Sequence, residues 1–138
     1  MLENGFRETG IVIFNDSVIY KNIGDAFHVE FEFLDFWDKI KDTIKEESSN
    51  LYFLHTHSPE SSPYYSRRDE LCMKSLYIAL GVPINFLIYS FKDKFIFDLD
   101  FCRFAHYVYN GTSIQTKTIL PDIKISCQFT LELFKGYS

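Results

Sequence analysis

The chain has 138 residues, a formal net charge of −5 and a sequence pI near 5.3. That length suits a single domain, residues 1–138, with a real hydrophobic core. The acidic balance argues against nucleic-acid binding, which needs a basic face. Apolar residues make up 46% of the chain and aromatics 18%, yet no window reaches the roughly 18 consecutive apolar residues of a membrane helix. The opening Met1–Glu8 lacks the basic start and apolar middle of a signal peptide, so no membrane role and a cytoplasmic location are expected. Cys72, Cys102 and Cys127 are odd in number and lack metal-ligand spacing, which reads as reduced thiols without a structural disulfide.

Taken in order, Ile11–Phe14 is a strand by its β-branched content. Asn15-Asp16 is a turn, and Ser17–Tyr20 returns as a second strand, giving a hairpin. Glu8, just ahead of the first strand, reads by itself as a surface carboxylate. Residues 27–33, FHVEFEF, alternate strictly, which predicts a half-buried strand with Phe27, Val29, Phe31 and Phe33 inward. His28, Glu30 and Glu32 then lie on its wet face. Residues 35–47 carry Phe36, Trp37, Ile40 and Ile44 at helical spacing, with Asp35 able to cap the start.

Leu51–Leu54 is apolar on both faces and so predicts a central strand, covered on both sides. It runs directly into His55-Thr56-His57. Side chains alternate along a strand, so the two imidazoles face one way. After a loop rich in Ser and Pro, a helix begins near Ser66 and runs to Leu80, burying Leu71, Cys72, Leu76 and Ala79. Gly81 and Pro83 end it. Ser66 and Asp69 share the first turn of one helix face. Two imidazoles, a carboxylate and a hydroxyl therefore converge from a strand end and a helix start. His55, His57 and Asp69 make a three-ligand site with room for water, as a catalytic zinc requires.

Further on, Ile84–Tyr89 is a strand, Lys92-Asp93 a turn and Lys94–Leu99 its return. Phe101–Tyr109 is an aromatic strand with a structural His106, Asn110-Gly111 a hairpin turn and Ser113–Leu120 its partner strand. Residues 123–134 fit either a strand or a short helix. The fold expected is α+β, three-layer α/β/α-like, with a mixed, largely antiparallel sheet flanked by two main helices.

The order of a Glu, a strand, His55-Thr56-His57 and Ser66-Arg67-Arg68-Asp69 before a helix resembles the JAB/MPN domain and its JAMM metalloprotease motif. Arg7-Glu8-Thr9-Gly10-Ile11-Val12-Ile13-Phe14 stands where that family opens a strand with a Glu and a following Gly. The resemblance spans roughly residues 6–100. Eight residues, Ser58–Tyr65, separate the second His from the Ser, where the family usually has seven. The family's helix before the Glu has almost no counterpart among the seven residues that precede Glu8, which leaves a core face for the C-terminal strands or a partner chain to cover. Leu54–Ser58 also looks like the opening motif of the PHP phosphoesterases, but only His106 follows as a further histidine. The metallo-β-lactamase pattern is broken by Pro59-Glu60.

The JAMM resemblance implies one zinc per chain on His55, His57 and Asp69, with Glu8 as general base and Ser66 as oxyanion donor. It implies a zinc metallopeptidase or isopeptidase that cleaves after the C-terminal glycine of a ubiquitin-like protein or carrier-protein precursor. The alternative is a metal-free MPN scaffold that only binds a protein partner. Tyr64 and Tyr65 flank the site, where they either wall a substrate groove or pack on the following helix.

Overall fold

In a computed structural model, residues 7–25, 28–57, 63–91 and 102–117 are described. Strand β1 (Thr9–Phe14) and strand β2 (Ser17–Ile23) form an antiparallel hairpin. Its two turn residues, Asn15 and Asp16, have φ of 50° and 65°, the left-handed pair that a tight hairpin requires and that Asn and Asp tolerate. Helix α1 (Phe33–Ile40) follows, then a one-turn helix α2 (Ile44–Glu47) and a 3₁₀ turn over Ser48–Asn50. Strand β3 (Leu51–His57) leads through helix α3 (Arg67–Leu80) to strand β4 (Ile84–Phe91). Strands β5 (Cys102–Tyr109) and β6 (Ile114–Thr116) close the described chain.

The sheet order is β2-β1-β3-β4-β5-β6. Only β3 and β4 run parallel, because α3 carries the chain back across the sheet between them. Every other neighbouring pair is antiparallel. The predicted centrality of β3 holds, since β1 and β4 flank it. One face of the sheet packs Val12, Phe53, Phe86 and Ile88 against Phe36 and Ile40 of α1 and Met73, Leu76 and Leu80 of α3 in a single continuous core. On the other face Ile11, Leu54, Leu87 and Tyr89 are also fully buried. Both main helices thus share one face, and a third layer is not seen among the described residues. No helix among them is long and apolar enough to cross a membrane.

Three expectations change. The strand over residues 27–33 does not form: residues 28–32 belong to no strand, and α1 begins already at Phe33. Side chains of β2 and its surroundings satisfy this backbone in place of a ladder. The Glu30 carbonyl accepts from Asn22 Nδ2 (2.9 Å) and Tyr20 Oη (3.2 Å), and the Glu32 N–H donates to Tyr20 Oη (2.9 Å). Alternation survives without the strand, as Val29, Phe31 and Phe33 are half-buried and Glu30 and Glu32 exposed. The helix predicted over residues 35–47 breaks at residues 41–43, and Glu32, not Asp35, is its N-cap residue. Trp37 of α1 is half-buried, stacked on Phe33 with centroids 5.1 Å apart.

Helix α3 turns inward a face that only partly matches the one expected: Leu76 is buried and Cys72 half-buried against the core. Asp69, Met73, Leu76 and Leu80 are buried, whereas Leu71 and Ala79 are exposed. The buried set keeps helical spacing but starts from the carboxylate, so the polar site and the core sit on one stripe. Gly81 caps α3 at φ 71°, as expected of a C-terminal glycine. His106 bonds Asn85 Oδ1 (3.0 Å), whose amide reaches the Leu51 carbonyl (3.2 Å), which fits a structural role. The return strand Lys94–Leu99, the end of the strand predicted to Leu120, and residues 123–134 lie outside the described residues.

Candidate metal centre

Three local rules bring the ligands together. Alternation along β3 puts Leu51, Phe53, His55 and His57 on the helix-bearing face of the sheet. The parallel pairing of β3 with β4 then requires a crossover, and the start of α3 lies over the end of β3. Ser66, extended at φ −92° and ψ 173°, is the N-cap of α3. Its Oγ accepts the Asp69 N–H (3.1 Å), and Asp69 Oδ2 accepts the Ser66 N–H (2.8 Å). This reciprocal capping box fixes the carboxylate at one rotamer.

Asp69 points back at the strand. His55 Nε2 lies 3.0 Å from Asp69 Oδ1, and His57 Nε2 lies 3.0 Å from Asp69 Oδ2. The imidazole centroids are 5.0 Å apart, and the His55 ring rests edge-on against Phe86 at 5.2 Å. All three side chains are nearly removed from solvent. Burial alone raises the Asp69 carboxyl, but the hydrogen bonds from His55 and His57 and from the Ser66 N–H outweigh it and hold the group well below the ordinary carboxylate range. Asp69 is therefore an anion at neutral pH.

One nitrogen from each histidine and one oxygen of Asp69 lie within 4.8 Å of one another. Tetrahedral zinc with bonds of roughly 2.1 Å needs ligand–ligand edges of about 3.4 Å. The 3.0 Å contacts, one to each carboxylate oxygen, are a few tenths of an ångström short of that, and the 4.8 Å limit of the cluster lies above it, so the donors could hold a small cation after the histidine–carboxylate contacts open and the wider separations close. Two imidazoles and a carboxylate are a borderline N,N,O set that suits zinc. Binding requires both Nε2 atoms to give up their protons, which places the imidazole protons on Nδ1.

Glu8 joins them from the opposite edge of β3. Gly10 pairs with His55 across the β1–β3 ladder, and Glu8 is two residues before Gly10, on the same face. Its backbone is pinned by Glu8 N–H to the Asp25 carbonyl (2.7 Å) and Gly24 N–H to the Glu8 carbonyl (2.8 Å). Thr9 N–H donates to Thr56 Oγ1 (3.0 Å). The side chain lines a cavity of about 390 Å³ together with His55, His57, Ser66 and Asp69. Burial pushes the Glu8 carboxyl above its ordinary range; His55 and His57 pull it partly back, and the Asp69 charge pushes with burial.

All five residues singled out from the sequence thus border one cavity. His28, assigned from the sequence to a wet strand face, borders it as well. Its ring is held by Glu30 Oε1 at 3.2 Å and its N–H by Asp25 Oδ1 at 2.9 Å. The only sequence signal was a histidine set between two carboxylates in an otherwise apolar alternation. Arg67, Arg68, Cys72 and Phe31 complete part of the wall. Tyr64 and Tyr65 stack on each other at 4.8 Å, and Tyr65 leans edge-on against Tyr107 at 5.0 Å. Neither is among the residues lining the cavity.

Compared with known proteins, the sequence matches no family model and no curated protein.

Proposed function

We propose that this protein is a zinc-dependent peptidase or isopeptidase of the JAMM type, acting after a glycine at the end of a ubiquitin-like protein or carrier-protein precursor. The observation that carries the reading is the division of labour within one cavity. Three donors cluster tightly enough to hold a cation, and a fourth group, Glu8, stands apart on another strand with a raised carboxyl pKa. A pure metal-binding site has no use for that second carboxylate; hydrolysis does.

When bound by His55, His57 and Asp69, zinc supplies Lewis acidity to a water and to the scissile carbonyl. Glu8 accepts the proton of the attacking water at its carboxylate and passes it to the leaving amine. Its raised pKa keeps it closer to neutrality than an ordinary Glu, which favours both halves of that transfer. Ser66 Oγ accepts a backbone N–H with one lone pair and keeps its O–H to donate to the developing oxyanion. The N–H and C=O groups of Val29 and Phe31 have no partner among the described residues, and an extended tail can add to them as a strand. Small residues beside the scissile bond let the substrate backbone approach the metal and base.

The test is a panel of fusions ending in Gly-Gly, Gly-Ala or Ala-Ala before a reporter. Cleavage of Gly-Gly well ahead of Ala-Ala is expected, and equal cleavage of all three would reject the glycine-tail assignment. A partner-binding scaffold is supported by one feature, that Asp69 already finds hydrogen-bond donors in His55, His57 and Ser66. Elemental analysis of protein purified without chelators separates the readings: near-stoichiometric zinc is expected, and none after supplementation would leave the scaffold.

A further inference from the structure

The first two residues of α3 after the Ser66 cap are Arg67 and Arg68. The partial positive charge of a helix N-terminus disfavours cations there, and the two acids of the same turn do not compensate them. Asp69 is engaged by His55, His57 and Ser66, and Glu70 by Lys74 Nζ at 3.2 Å. Neither arginine has an ion-pair partner among the described residues. Both are exposed, and both line the cavity that holds the ligand cluster. Two guanidiniums placed where fold stability gains nothing from them, at the mouth of a reactive cavity, call for a ligand.

The charge around them defines that ligand. A second groove of about 830 Å³ shares Arg68, His28 and Cys72 with the cavity, and its far side carries Asp25 and Glu30. An anion entering from outside is repelled by that side and drawn to the wall formed by α3. Planar guanidiniums hold a carboxylate through two parallel hydrogen bonds, and peptide substrates bring carboxylates as Asp or Glu side chains or as a free C-terminus. We infer that Arg67 and Arg68 recognise a substrate carboxylate within a few residues of the scissile amide. The inference rests on the peptidase reading above and gives it a specificity: acidic or carboxyl-terminal flanks are preferred to neutral ones.

The experiment uses zinc-loaded protein and glycine-ended peptides in matched pairs. Glu is paired with Gln on either side of the scissile bond, and a short extension ends in either a free carboxylate or an amide. The Glu/Gln pairs and the terminal pairs distinguish the two sources of the anion. At low salt, kcat/KM should favour at least one carboxylate member by about tenfold, mainly through KM. The preference should fall towards one in Arg67→Gln/Arg68→Gln and at high salt. A ratio near one in the parent protein, or an unchanged ratio in the double variant, would overturn the inference. Calorimetry of the same pairs on Glu8→Gln protein gives a second readout that needs no turnover. Arginine-dependent discrimination there, with no cleavage of any peptide by the zinc-loaded parent protein, would keep the anion site and reject the peptidase. Cleavage without discrimination would do the reverse.

Discussion

At the scale of single residues, Glu8 and Asp69 are two carboxyls whose surroundings push them apart. The folded Glu8 carboxyl holds its proton to higher pH than the unfolded one, chiefly because of burial. Between the two pKa values the folded state binds more protons, so stability falls as pH rises through that window. Glu8→Gln should therefore melt at a higher temperature than the parent at neutral pH, keep its zinc, and lose turnover by about 10²-fold or more. Normal turnover in Glu8→Gln, with loss in Glu30→Gln, would move the base to the 28–32 segment. Asp69 is the opposite case. Asp69→Ala removes the half of the capping box in which its carboxylate accepts the Ser66 N–H, and leaves two buried imidazoles without their acceptor. It should cost about 2–4 kcal/mol in denaturant unfolding and abolish zinc binding. These residues were legible in the sequence because the rules that place them are local: strand alternation for His55 and His57, N-cap spacing for Ser66 and Asp69. His28 was not, because its position is held by Asp25 and Glu30, contacts that no strand or helix period encodes.

Among the elements, the stretch from His28 to Phe33 shows where a period-2 pattern stops being informative. Alternation reports which side chains face inward, and it did so correctly for Val29 and Phe31. It does not report whether the backbone finds a strand to pair with, and here Tyr20 and Asn22 of β2 serve instead. Phe31 sits across the sheet, edge-on to Phe53 at 5.6 Å, in the space left by Gly10. A Cβ on Gly10 would come within 3.2 Å of the Phe31 ring and 3.4 Å of Val29. Gly10→Val should displace that ring, destabilise the fold by about 1–3 kcal/mol, and reduce turnover more than zinc content, because it moves the substrate-facing segment and not the ligands. Equal loss of zinc and turnover would show that Gly10 supports β3 directly. In α3 the helix and both its ends were legible, but only Leu76 and the half-buried Cys72 of its expected inward face were. Leu71 and Ala79 are as apolar as a core requires; what turned the helix was the burial of Asp69, a polar residue that a hydrophobic stripe does not count.

For the molecule as a whole, the sheet with its parallel central pair followed from the order of elements, while the placement of both helices on one face did not. On the proposed reading zinc binds only the folded arrangement of β3 and α3, so it should stabilise by mass action, by roughly 3 kcal/mol at a hundredfold excess over Kd. Chelation should then lower Tm by about 5–15 °C, and an unchanged Tm would count against a structural contribution of the metal. Burial, with the nearby Asp69 and Glu30 charges adding to it, pushes the Cys72 thiol up to about 12. It should react slowly with thiol reagents in the native protein, whereas all three cysteines should titrate as free thiols once the protein is unfolded without reductant. An intramolecular disulfide would contradict the reduced state expected from the sequence.

The ligands lie within one unit, β3 and the first turn of α3, but the base reaches them from β1. This separation has an evolutionary side. Losing a ligand damages the fold; losing Glu8 relieves it of a buried charge. Replacing Glu8 by a neutral side chain of the same shape removes the burial cost of that charge and leaves the three candidate ligands in place. Only selection for turnover keeps a carboxylate there. On the proposed reading, a lineage released from that selection would shed its chemistry first and its architecture last, and would pass from enzyme to adaptor by a single codon change.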